Sequence, residues 1–191
     1  MIYTKLTEKA MKIAFSAHVN QTDKAGLPYF HHPMHLAEQF NDEKLVATAL
    51  LHDVVEDTQV TFDDLEKAEI PKDVIIALKL LTHDNHQDYN EYIKKIADND
   101  IARKVKIADL QHNMDETRLR EDNSVSPYDA AKIEKRREKY RNAYAFLKQY
   151  DAKTNKHNNK NRYKNIATRE INNESCVNAH NDDQDDTNLD L

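Results

Sequence analysis

Two observations predict an all-α fold. The 191-residue chain contains one glycine, whereas Rossmann turns and phosphate-binding loops each need several and tight primed hairpins favour them. Apolar residues recur at helical spacing, with recognisable start signals, as far as about residue 150.

Leu6, Ala10, Ile13, Ala14 and Ala17 form one stripe on a first helix. Pro33 is placed to open a second, carrying Met34, Leu36 and Ala37, because proline suits a first helical position. A third helix spans about Asp42 to Val55. Thr61 and Asp64 read as a capping box, Pro71 begins IPKDVIIALKLL, and Asp88 with Glu91 starts a helix through Ile96. Asp100 precedes IARKVKIADLQHNM, and Ser126-Pro127 starts a long helix with apolar Ile133, Tyr140, Tyr144 and Leu147. From Asp151 the pattern stops. The segment 151–191 holds ten asparagines, a mildly basic stretch and an acidic end, a composition that cannot bury enough apolar surface to offset chain entropy. The expected division is an ordered domain over 1–150 and a disordered tail over 151–191.

Composition narrows the function. A formal net charge of −6 argues against duplex nucleic acid, which needs a basic face, but not against a small phosphorylated ligand. The longest apolar run is far too short to span a bilayer, the N-terminal charges argue against a signal peptide, and the single Cys176 excludes a disulfide framework or cysteine zinc cluster. A cytoplasmic protein is expected, of unspecified oligomeric state, with no nucleic-acid or membrane partner.

The stretch LLHDVVED (50–57) places an imidazole and three carboxylates among aliphatic residues. On a continuous helix His52 aligns with Glu56, and Asp53 with Glu56 and Asp57, while Val46, Leu50 and Val54 take another face. No lysine or arginine lies in the run to neutralise it, and such a donor set suits a divalent ion. Further ligands must come from elsewhere. His32, held extended just ahead of a helix by Pro33, competes with His31 and His35. Asp109, among apolar residues of VKIADLQHNM, wants a cation; Asn113 shares its face, with His112 as a rival.

Four blocks occur in order: AGLPYFHHP (25–33), LLHDVVEDT (50–58), IALKLLT (76–82) and VKIADLQHNM (105–114). Together they resemble the HD-domain hydrolase half of the RelA/SpoT alarmone enzymes, and most of all its small stand-alone hydrolases. The resemblance covers about residues 1–150. It implies an HD-domain helical bundle that removes the 3′-pyrophosphate from (p)ppGpp, leaving GDP or GTP and pyrophosphate. By position it implies His32, His52, Asp53 and Asp109 as metal ligands, usually for Mn²⁺. Glu56 and Asp57 take the water-activating role, and Lys24, Tyr29 and Asn113 contact the nucleotide. A bound metal ion makes water a nucleophile at neutral pH, and a carboxylate one turn away can take its proton. Of the cations available for the diphosphate (Lys24, Arg103, Lys104, Lys106, Arg118 and Arg120), Lys24 is the one expected to bind it.

The chain departs from the family at its recognition residues. Asp23-Lys24 stands where many members have a basic pair, Leu110 replaces an arginine, and Asp115-Glu116 are acidic. Two alternatives follow: a hydrolase for a different phosphorylated nucleotide, and a non-catalytic alarmone-binding regulator.

Overall fold

The structure, a computed structural model, describes residues 1–23, 26–84, 86–115 and 127–178, with side chains of the last helix described from residue 130 to 156. Among the described residues the regular elements are all helical: α1 (Lys5–Ala17), α2 (His31–Glu38), α3 (Glu43–Leu51), α4 (Val54–Asp57), α5 (Phe62–Lys67), α6 (Lys72–Leu81), α7 (Tyr89–Ala97), α8 (Asp100–Asn113) and α9 (Pro127–Asn178). The all-α expectation is borne out.

Local chemistry starts these helices where the sequence places the signals. Thr4 and Thr7 form a reciprocal capping box on α1, and Thr61 and Asp64 do so on α5. Asp42, Asp88 and Asn99 each accept backbone N–H groups at the starts of α3, α7 and α8. Pro71 stands immediately before α6.

Helix α3 is the axis of the bundle. Every residue from Val46 to Leu51 is buried, and the helix packs against α1, α2, α6 and α8. A helix apolar on all sides has to be enclosed in this way. Leu36, Leu65, Leu78, Ile96 and Leu110 are almost fully buried around it. From α9, Ala143 and Leu147 complete the core. Arg103 is also buried; it donates to Ala97 O at 2.7 Å, Asp100 Oδ1 at 2.6 Å and Asp151 Oδ1 at 3.0 Å. It therefore braces α8 and α9 rather than serving a phosphate.

Two local expectations are corrected. The predicted third helix does not run unbroken to Val55; α3 ends at Leu51, His52 and Asp53 form a turn, and α4 restarts at Val54. Pro33 does not open α2, which begins two residues earlier, so His32 lies inside its first turn rather than ahead of it. A proline is tolerated there because first-turn N–H groups have no intrahelical acceptor. The backbone of α9 is helical to Asn178, and residues 179–191 lie outside the described residues.

The chain divides into two units, Met1–Asp151 and Ala152–Leu191, and the core and the site belong to the first. The single glycine is used in the loop before α2. Gly26 has φ +79°, a left-handed conformation that glycine adopts without a Cβ penalty. Its N–H donates to Asp23 O at 2.9 Å and Tyr29 N–H to Gln21 O at 2.9 Å, which returns the chain toward the site.

Candidate active site

The turn between α3 and α4 sets the geometry. Side chains of adjacent residues on a regular helix point in different directions. With the helix interrupted, His52 Nε2 and Asp53 Oδ2 come within 2.9 Å. Helix α2 brings His32 alongside, its Nε2 3.2 Å from His52 Nε2 and 3.7 Å from Asp53 Oδ2. Helix α8 closes the cluster with Asp109 Oδ1, 3.3 Å from His32 Nε2 and 3.9 Å from His52 Nε2. His32, His52 and Asp109 are buried, and their donor atoms lie within 4.8 Å of one another.

The donor chemistry fits a divalent cation. His52 Nδ1 lies 2.9 Å from Ala49 O and donates to it, which directs Nε2 toward the cluster as the atom that would meet an ion. Both carboxylates are held ionised. Burial pushes Asp53 up, but the neighbouring His52 outweighs it and brings the pKa down to about 2. Asp109 is likewise depressed against burial, chiefly by Lys106. Lys106 Nζ donates to Asp109 Oδ2 at 2.9 Å and lies 5.5 Å from the centre of the Tyr92 ring. Asn113 Nδ2 donates to Asp109 Oδ1 at 2.5 Å. Opposite, the Tyr29 hydroxyl donates to Asp53 Oδ2; burial and that carboxylate raise the phenol far above its ordinary range, so it stays protonated.

The cluster forms the floor of a cleft of about 490 Å³. Glu56 reaches the cleft and accepts the His83 N–H at 2.9 Å. Burial raises its carboxyl above the ordinary range, with Asp53 and Asp57 adding to the effect. Asp57, expected to act beside it, does not line the cleft. Its backbone O accepts Gln21 Nε2 at 2.7 Å, and its carboxyl is raised by burial and by Asp53. The helix break that joins His52 to Asp53 thus divides the four-residue wedge expected from a continuous helix.

The cleft walls hold a feature that helical spacing did not reveal. Arg136, Arg137 and Lys139 from α9 line it together with Lys106. Lys139 Nζ lies 4.1 Å from the centre of the Tyr89 ring. The only sequence signal was the basic run KRREKYR (135–141), which reads equally well as a solvated helix face. Of the cations considered earlier, Lys104 pairs with Asp100 at 2.7 Å, while Lys24, Arg118 and Arg120 lie outside the described residues.

No protein-family model matches the chain. Curated proteins do. The bifunctional (p)ppGpp synthase/hydrolase SpoT of Escherichia coli (strain K12) is 33% identical over 124 residues, which is 58% of this chain and 18% of that protein. The GTP pyrophosphokinase rsh of Brucella ovis is 34% identical over 123 residues, 57% of this chain and 16% of that protein. A solved structure of a metazoan ortholog of SpoT, described as hydrolysing ppGpp, matches with a TM-score of 0.58 at 23% identity, over 81% of this chain and 98% of that one. The resemblance to SpoT-type proteins is borne out. The SpoT ortholog shows the same helical fold, while the chain spans less than a fifth of the length of the curated relatives it matches. Among the described residues no helix is long and apolar enough to cross a membrane.

Proposed function

We propose that this chain is a metal-dependent pyrophosphohydrolase that removes the 3′-pyrophosphate from (p)ppGpp, releasing GDP or GTP and pyrophosphate. The observation that carries this reading is the convergence of His32, His52, Asp53 and Asp109 on one point beneath a cleft lined by Lys106, Arg136, Arg137 and Lys139. Relatives named as (p)ppGpp hydrolases support the substrate.

His32, His52, Asp53 and Asp109 would hold the ion; imidazole and carboxylate donors suit a divalent cation, and the family resemblance makes Mn²⁺ the first choice. A divalent ion there supplies Lewis acidity and a water nucleophile at neutral pH. Glu56, with its raised pKa and its place in the cleft, takes the proton from the attacking water. Asp57 is assigned with it as the second carboxylate of the proton path. Tyr29 and Asn113 fix Asp53 and Asp109 and present polar groups toward the nucleotide. Lys24 is assigned to the diphosphate by the family resemblance. The α9 cations and Lys106 hold the phosphates, whose charge needs several basic groups in an otherwise acidic protein. A cytoplasmic setting fits a free nucleotide substrate.

Incubating the purified chain with Mn²⁺ and ppGpp tests the reading: GDP and pyrophosphate are expected, and intact Mn²⁺ binding without turnover would refute it. A second substrate reading has its own observation. Asp23, Leu110 and Asp115 line the same cleft; by the family resemblance Asp23 stands in place of a basic residue and Leu110 in place of an arginine, while Asp115 adds a negative charge. A panel of 3′-phosphorylated nucleotides separates the two by kcat/KM.

A further inference from the structure

His112 is a buried imidazole that the proposed mechanism does not use. Its Nδ1 lies 2.6 Å from His32 Nδ1. The two rings are within 17° of parallel, with centroids 4.8 Å apart. Since the nitrogen–nitrogen distance takes up most of that spacing, the rings meet edge to edge in nearly one plane. That is the arrangement of a hydrogen bond rather than of face-to-face stacking. His35, one turn after His32 on α2, packs against His112 with centroids 4.5 Å apart and planes 23° apart.

We propose that His112 is a positioning residue for the metal centre, acting through His32. With His32 Nε2 turned toward His52 and Asp109, the His32 proton resides on Nδ1 and is donated to His112 Nδ1. His112 is then the neutral tautomer protonated at Nε2. This bond fixes both the tautomer and the ring orientation of His32, as Ala49 O does for His52. His35 braces the acceptor ring. The chain HHPMH therefore supplies one histidine to the cluster and a second, three residues on, to the support behind it. The proposal rests on the metal reading of the site and on no particular substrate.

The test compares His112→Leu, which removes the acceptor, with His112→Asn, whose Oδ1 stands near the former Nδ1 position. Mn²⁺ affinity is read by the EPR signal of free ion, and folding by the melting temperature of metal-free protein. His112→Leu is expected to weaken Mn²⁺ binding by roughly ten- to hundredfold, with His112→Asn restoring most of the loss. Equal binding by parent and His112→Leu overturns the positioning role, as does equal weakening by both variants when both fold. A parent protein that binds no Mn²⁺ overturns the metal centre itself, and the proposal with it.

A second measurement needs no variant, should His112→Leu fail to fold. In ¹⁵N-labelled parent protein loaded with diamagnetic Zn²⁺, a coupling across the hydrogen bond between His32 Nδ1 and His112 Nδ1 is expected. Its absence, with His112 protonated at Nδ1, overturns the assignment.

Discussion

His52 Nε2 lies 2.9 Å from Asp53 Oδ2 although the two residues are adjacent in the chain. The turn between α3 and α4 makes this approach possible, and it separates two kinds of carboxylate. Asp53 turns into the cluster, whereas Glu56 faces the cleft one turn later. The two should fail differently when changed. Asp53→Asn is expected to lose Mn²⁺ binding and turnover together. Glu56→Gln is expected to keep Mn²⁺ binding and lose turnover by about a hundredfold or more, the scale of general-base catalysis. Isothermal titration paired with a pyrophosphate-release assay distinguishes the outcomes.

Metal binding should depend on pH with a definite sign. Burial opposes charging His52, but Asp53 and Asp109 outweigh it and hold its pKa up at about 9 in the metal-free protein. Binding through Nε2 must displace that proton, so Mn²⁺ affinity should rise with pH until about 9. Proton release at neutral pH, measured by calorimetry in buffers of different ionisation enthalpy, checks this. Metal-free stability runs the other way. The His52 contribution is fully present below its ordinary 6.5 and is lost as pH rises through about 9. Asp53, depressed to about 2, contributes above its ordinary 3.8 and loses that contribution as pH falls through about 2. Melting temperatures of chelator-treated protein across the alkaline range test the His52 part.

Arg103 should matter to the fold and not to the substrate. Its guanidinium is buried and bonded to Ala97, Asp100 and Asp151. Replacing it by leucine strands those partners and should cost about 3 kcal/mol, seen as a lower denaturation midpoint. KM of the folded fraction should be unchanged.

Arg136 and Arg137 should show the opposite pattern. Each lines the cleft from α9, and loss of one charge-assisted phosphate contact of about 1.5 kcal/mol corresponds to about a tenfold rise in KM. Alanine variants with parental melting temperatures and raised KM would place the phosphates on α9. An unchanged KM in both would remove that helix from substrate binding.

Truncation after Lys156 should leave the melting temperature, Mn²⁺ affinity and turnover of the remaining protein unchanged. The core residues of α9, Ala143 and Leu147, and the Arg103 partner Asp151 all precede that point. A fall in any of the three would overturn this expectation.

Much of this protein is determined by its sequence alone. A single glycine, helical periodicity and side-chain caps specify the helices, because these are interactions within a few residues of chain. The four blocks are also legible, through their resemblance to a known family, and the histidines and carboxylates in three of them suit a divalent ion. Tertiary structure decided the rest. It broke the helix at His52-Asp53, a departure of one turn that periodicity cannot register because both residues keep near-helical backbone angles. It chose His32 over His31 and His35 for the cluster by burying it beside His52 and Asp109. It placed His112 behind His32, a pairing across 80 residues of chain. It also turned Arg136, Arg137 and Lys139 toward the cleft. A charged residue facing water and one facing a polar cleft look alike in sequence, and packing against the other helices is what separates them.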